Sequence, residues 1–517
     1  MSLKKLEQIR KEFEKGKFKL VLQYATELMN NNYIWGQIWR LKCLNLIDYT
    51  YDVTPLINDL ENALISQQKR NSIEFIELLM IKWRRCNISI ITSDSKNLEK
   101  TKYVLDAKEI FEKKDFQREL SDYQKFSAKI FLCFETDYYF DSLVKNLNSL
   151  LLEIIANDSI ELDFLKFLIL RNIAFCYGVL GQVEVAIIHA EKALKIIRKF
   201  GNKYRLLQIL NGLGVYYSEL GDFSKSKQYF EEGLSISIDF TIHAEMTVRI
   251  DILNRYGSII FQFTLNSDLA DFYLSKAQNL IDKEKIKLPS NYYDLQTSIY
   301  HSYFIISLYK NNTTDTLEYL KLLEQMAQKT NNKFSIVHHN YSKAIYHLSK
   351  GRIKDKFEAL NLLQEILNEK QVYRDVTYPA IMLFISISLT EYEETEDKTI
   401  LDEINKYIMG LRDKSNVKIK IQLNIIKSKI LLLEGKINDS LILLEESLST
   451  VKEKKILSLE SAVISEIEKI DKEKSMWKDS ANGHMTSQRK LRVSDVRSYV
   501  NDVVKIYGDL KNLQDIR

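Results

Sequence analysis

Proline is almost missing from this chain: three occur in 517 residues, beside 15 glycines. Proline breaks helices by removing an amide donor, and glycine weakens them through its backbone entropy. So few breakers, with 45% hydrophobic and 28% charged residues, exclude a loop-rich or disordered chain and point to an all-α one. Cysteine is scarce too. Cys43, Cys86, Cys133 and Cys176 form no C-x-x-C pair, so reduced, buried thiols are expected rather than a disulfide framework. An excess of one charge is also lacking. The 74 basic and 70 acidic residues leave a net charge of +4, without the basic stripe that a nucleic-acid surface requires. No apolar run is long enough to cross a bilayer: Ala380 to Leu389 is too short, and Phe164 to Leu180 is interrupted by Lys166, Arg171 and Asn172. The charged N-terminus, Met1-Ser2-Leu3-Lys4-Lys5-Leu6-Glu7, has no signal-peptide core. The expectation is a cytoplasmic protein with no membrane association and no nucleic-acid partner.

What is present is a repeat. Leu210-Asn211-Gly212-Leu213-Gly214-Val215-Tyr216-Tyr217 reads L-x-x-L-G-x-x-Y, followed by a corner at Gly221-Asp222-Phe223 and then by Ser226 and Phe230. Upstream, Leu170, Ile173, Ala174, Tyr177, Gly181, Ala186 and Ala190 repeat the arrangement. The pattern resembles the tetratricopeptide repeat, a helix–turn–helix unit written W-x-x-L-G-x-x-Y…A-x-x-x-F. Small residues recur where two helices of a tight hairpin must touch. Seven residues before successive corners stand Ala174, Gly214, Ser258, Ala344 and Ser428; five after stand Ala186, Ser226, Ala270 and Ser440. Such side chains let helix axes approach, and larger neighbours fill the remaining space.

The corners follow from this register. Gly16, Gly181, Gly221, Gly351 and Gly435 each precede an apolar residue by two positions, and Leu265 and Asn312 occupy equivalent places. A further corner is expected within Glu391 to Lys398, and polar breaks at Tyr49–Thr54, Thr92–Lys96 and Glu135–Tyr139 mark three more. The cysteine spacing follows the same period. The count is about eleven hairpins of roughly 42 residues, longer than the family's 34. The predicted architecture is an α-solenoid: divergent N-terminal hairpins over 1–160, a superhelix over 161–455, and a C-terminal capping helix pair over 456–517. The cap is read as one helix from Ile456 to Trp477, a loop from Lys478 to Gln488, and a final amphipathic helix from Leu491 to Leu513. A segment that docks in the groove and competes with a ligand is the alternative reading of that last helix.

Motifs for chemistry are missing. There is no G-x-x-x-x-G-K-[ST], G-x-G-x-x-G or G-x-S-x-G. The one histidine cluster, His338, His339 and His347, lacks metal-ligand spacing, because eight residues are about two helical turns. No catalytic residue, cofactor or metal is expected, and the chain reads as a non-enzymatic protein. In the repeat family the first helix of each hairpin lines a concave groove. The resemblance therefore implies inward positions ten and thirteen residues before each corner. Carried over, these are Arg171, Asn211, Arg255, Ser302 and Tyr341, then Gln208 and His338; Gln262 also faces inward by this register. The resemblance implies a scaffold or adaptor that binds a protein or peptide, with Asn211 holding backbone amides and the arginines pairing with carboxylates. Phe175, Val215 and Ile259 stand where chaperone-tail binders of the family carry asparagine, so that partner is not expected. The alternative is a ligand- or peptide-responsive regulator, since repeats of this length resemble those of bacterial peptide-sensing regulators.

Overall fold

In a computed structural model, the chain is described over residues 3–500, apart from 31, 48–51, 89–93, 114–115, 137–139, 158, 240, 284–289, 370–372, 413–414, 455 and 473–486. The described residues contain helices and no strand. The first twenty-two α-helices fall into eleven consecutive pairs. These are α1 (Leu3–Glu14) with α2 (Phe18–Met29), α3 (Tyr33–Ile47) with α4 (Thr54–Ser66), α5 (Ile73–Ile88) with α6 (Asp94–Phe111), and α7 (Asp122–Leu132) with α8 (Phe140–Asn157). Next come α9 (Asp163–Val179) with α10 (Val183–Phe200), α11 (Lys203–Glu219) with α12 (Phe223–Ser235), α13 (His243–Thr264) with α14 (Ser267–Lys283), and α15 (Ser290–Tyr309) with α16 (Thr313–Thr330). The last are α17 (Lys333–Ser349) with α18 (Ile353–Leu367), α19 (Arg374–Thr395) with α20 (Lys398–Arg412), and α21 (Val417–Leu433) with α22 (Ile437–Lys454). Two further helices follow, α23 (Leu457–Lys472) and α24 (Ser487–Ser494).

The corners lie where the repeat register puts them. Gly16, Gly181, Gly221, Gly351 and Gly435 all adopt left-handed backbone angles, with φ between 68° and 82°. A Cβ is disfavoured there, and this ends the first helix of each pair. Leu265 takes the same conformation at φ 54°. Two details differ from the sequence reading. The left-handed residue of the next corner is Asn311 rather than Asn312, because Asn312 caps α16 through its side chain on the Asp315 amide. The corner within Glu391 to Lys398 centres on Glu396, at φ 56°.

Packing explains the small residues. A Cβ on Gly214 would lie 2.7 Å from the Phe230 ring, so α11 and α12 meet only because Gly214 has no side chain. Ser226, on the facing helix, donates from Oγ to the Gly214 carbonyl at 2.7 Å. Ala174, Ala186, Ala270, Ala344, Ser428 and Ser440 are all buried.

Two compact units divide the chain: Met1–Gly178, Val185–Tyr256 and Ser275–Gln296 form the first, and Val179–Glu184, Gly257–Leu274 and Thr297–Arg517 the second. In the first, α1 packs beyond its own pair. Arg10 lies 4.2 Å over the Tyr123 ring and forms ion pairs with Glu14 and Glu161. Phe18 shares a core cluster with Trp39, Cys43, Ile242 and Ala244. In the second unit, a core runs from Phe261 through Tyr341, Tyr378 and Phe384 to Ile430, and includes Leu491, Val496 and Val500. The 179–184 corner belongs to this unit, where the Leu180 carbonyl accepts from the Val417 amide at 3.2 Å.

The C-terminal expectation needs one correction. The helix read from Leu491 to Leu513 is interrupted: α24 ends at Ser494, and Asp495 is left-handed at φ 53°. Val496 and Val500 are nonetheless fully buried. Residues 473–486 and 501–517, with the predicted loop and the end of the last helix, lie outside the described residues.

Candidate functional site

First helices of successive hairpins touch one another, as α3 does α5 and α5 does α7 in the first unit, and α17 does α19 in the second. Each unit therefore carries a wall built of first helices, and the sequence-derived candidates stand on these walls.

In the first unit the wall is set by α9, α11 and the first half of α13. Tyr216 ties α11 to α9: its hydroxyl donates to the Ala174 carbonyl at 3.2 Å, and its ring lies where a Cβ on Gly178 would be, 2.6 Å away. Burial pushes the Tyr216 phenol up to about 12. The start of α11 is fixed by Asn202, which is almost fully buried. Its Oδ1 caps the helix by accepting from the Arg205 amide at 3.1 Å, and its Nδ2 donates to the Glu14 carbonyl at 2.9 Å. Next to this anchor, the Arg205 guanidinium lies 4.8 Å over the Tyr204 ring and donates to Gln208 Oε1 at 2.8 Å. Gln208 in turn donates to the Tyr204 hydroxyl at 2.9 Å.

Arg171 is half-buried, and its recorded side-chain bond goes to Asn172 Oδ1 at 3.3 Å. Burial, and then the neighbouring Arg205 charge, hold it below the usual guanidinium range. Asn211 and Arg255 converge on one carboxylate. Asn211 Nδ2 donates to Asp251 Oδ2 at 2.7 Å, and Arg255 Nε donates to Asp251 Oδ1 at 2.9 Å. Asn211 Oδ1 is buried and lacks a hydrogen-bond partner among the described residues. Deeper in this unit, burial raises Glu14 to about 7 against the opposing charge of Arg10.

The second unit stitches its wall together from helix to helix. Ser258 and Ser302 hydroxyls lie 2.8 Å apart, Thr297 and Ser335 3.0 Å, and His301 Nδ1 lies 2.9 Å from Ser342 Oγ. His338 is fully buried. Its Nδ1 faces the Phe334 carbonyl at 2.8 Å and its Nε2 faces Asp375 Oδ2 at 3.0 Å. Both partners carry acceptor oxygens. Burial would raise Asp375, but the charge and hydrogen bond of His338 outweigh it and hold the carboxyl at about 2. Burial, reinforced by the His338 charge, pushes His301 down to about 3. The Asp375 side chain keeps 58% of its surface open. Tyr341 is fully buried and packs on His301 with ring centroids 5.8 Å apart. Gln262 is half-buried near the end of α13.

The structure thus brings Asn211 and Arg255 together on Asp251, and sets His338 and Tyr341 against the His301 ring. Register reasoning missed Arg205, Tyr204, Asp251, His301 and Asp375. Only Asp251 left a local signal, four residues before Arg255 on one helix face. Among the described residues no group of three or more His, Cys, Asp or Glu could hold a metal ion, and no helix is long and apolar enough to cross a membrane.

Paired helices, left-handed corners and interlocking small residues define an α-solenoid of two-helix repeats. Residues 166–239, which include most of α9 and all of α10 to α12, match the sequence model of the tetratricopeptide repeat. Among solved structures, the chain is similar to a Rap protein complexed with competence and sporulation factor. The two are 13% identical, with a TM-score of 0.46 over 75% of this chain and 98% of that one. No curated protein matches the chain.

Proposed function

We propose that the chain is a non-enzymatic binding protein that holds an extended peptide segment along the first helices of its repeats. The observation that carries this reading is the row of fixed hydrogen-bonding side chains on α9, α11 and α13, namely Arg171, Arg205, Gln208, Asn211 and Arg255. Amide and guanidinium groups held in place by neighbours bind a peptide backbone and its carboxylates at low entropic cost. The test is affinity selection of pooled synthetic short peptides by the full chain, read by mass spectrometry. Peptides should be retained by the wild type and lost from an Arg171→Glu/Arg255→Glu variant of unchanged helicity. A chain that retains no peptide, or a variant that retains the same ones, removes the proposal.

A second reading, a peptide-responsive regulator, is favoured by the C-terminal segment. It lies across α19 and α21, the same kind of first-helix surface. The buried Lys429 ammonium bonds Glu466 and the Ser494 carbonyl, while Arg497 donates to the Leu389 carbonyl at 3.0 Å and pairs with Glu393 at 2.6 Å. A ligand that competes for this surface would release the segment. Faster hydrogen exchange over residues 487–500 on adding a retained peptide supports the regulator, and unchanged exchange leaves a plain scaffold.

A further inference from the structure

We infer that the outer face formed by α16 and α18 is a dimer interface, and that its occupant is a second copy of this chain. The face lies on second helices, so it is separate from the first-helix walls and does not rest on the peptide reading. Three large apolar side chains stand open on it: Ile353 is 75% exposed, Phe357 62% and Leu317 45%. Their positions follow the repeat. Phe357 stands six residues after the left-handed corner at Gly351, and Leu317 six after the one at Asn311, so consecutive hairpins present them at the same height. Ile353 is one turn from Phe357 on α18. The residues equivalent to Ile353, two after the corners at Gly16 and Gly181, are Phe18 and Val183, and both are only 1% exposed. The chain therefore buries that register position elsewhere and leaves it open here. Leu269 and Phe272, both exposed, extend the apolar stripe onto α14. The solvent face of an amphipathic helix is ordinarily polar, and a run of exposed apolar side chains marks an interaction surface.

Charge identifies the occupant. From Thr313 to Leu320, α16 carries Asp315 and Glu318 and no basic residue. The start of α18 is the reverse. From Arg352 to Phe357 it carries Arg352, Lys354 and Lys356 around one carboxylate, Asp355. That carboxylate is buried and already bonded by Arg352 at 2.6 Å and by His347 at 2.9 Å. Acidic residues suit the positive end of a helix dipole, as at the start of α16, whereas the basic start of α18 opposes its own dipole. Carboxylates from outside offset that conflict. The start of α16 on a second copy supplies them beside an apolar side chain of its own. A two-fold axis running between α16 and α18, along the helices, sets α16 of each copy against α18 of the other. Leu317 then packs on Ile353 and Phe357 of the other copy, and the exposed Glu318 meets the exposed Lys354, each contact made twice.

Sedimentation of the full chain over a range of concentrations decides the matter. The wild type should show a monomer–dimer equilibrium. Ile353→Ser/Phe357→Ser should weaken the dimer roughly 10- to 100-fold at unchanged helicity, because both side chains are exposed in the single chain. Glu318→Lys alone, or Lys354→Glu alone, sets like charges opposite each other and should weaken it about 10-fold. The two changes combined in one chain restore opposite charges and should restore the dimer. That rescue excludes a loss of folding and identifies the occupant as this chain rather than another protein. A wild type that stays monomeric, a dimer indifferent to the apolar variant, or charge variants that show no loss or no rescue overturn the inference. Peptide retention is measured separately on the same variants, so the two readings fail independently.

Discussion

The two first-helix walls solve the same packing problem with opposite electrostatics. In the second unit, polar groups are consumed between neighbouring helices: serine meets serine, histidine meets serine, and His338 meets Asp375. In the first unit, one triad closes on Asp251, but the side-chain acceptors of Arg171 and Arg205 among the described residues are neutral. Polar side chains at equivalent register positions can thus serve as internal mortar or as a surface held ready for a ligand. Whether the partner is supplied within the fold decides between them, since a buried polar group needs a partner and a missing one costs stability.

The contrast can be broken most severely at the hairpin on which the first wall depends. Gly214→Leu would drive a side chain into Phe230 and should lower stability by about 3 kcal/mol, visible as a lower melting temperature. An unchanged melting point would mean that α11 and α12 do not meet there. Acidification should act on the two units in opposite directions. His301 is held near 3, below its unfolded value, so its contribution is full above about 6.5 and is lost as pH falls toward 3. Glu14 is held near 7, above its unfolded value, so its contribution is full below about 4.5 and is lost as pH rises through 7. Between pH 7 and 5, hydrogen exchange should slow around Glu14 and quicken around His301, and His301→Gln should abolish the second effect. Asp375→Ala, which removes the partner of His338, should cost about 1.5–3 kcal/mol in thermal unfolding. Arg205→Gln, by contrast, should be neutral or stabilising by up to about 1 kcal/mol without ligand, because it relieves repulsion. A large loss of stability in that variant would show that the first wall is as self-satisfied as the second.

Much of the fold was legible in the sequence, because local chemistry dictates it. Gly181, Gly221 and Gly435 mark corners through the backbone angles that only glycine takes easily, and Gly214 with Phe230 marks the helix crossing. The corner at Glu396 was legible only as a polar stretch, since no glycine stands there. The interruption at Asp495 was not legible, because the apolar spacing of Val496 and Val500 continues that of a single helix. The walls were harder to read. Register places Arg171, Asn211 and Arg255, but it says nothing about what each one meets. The Asp251–Arg255 contact shows in sequence as an i, i+4 pair, whereas Asn211 reaches Asp251 across 40 positions and His338 reaches Asp375 across 37. Such contacts depend on where neighbouring first helices start and cross.

The most direct test of the contrast between walls is hydrogen–deuterium exchange of the full chain with and without the tightest peptide selected from the pool. Protection should appear on α9 and the first turns of α11, around Arg171 and residues 204–211, and be absent around His338 and Asp375. Protection confined to the His338–Asp375 wall, or spread over second helices such as α10 and α12, would contradict the account.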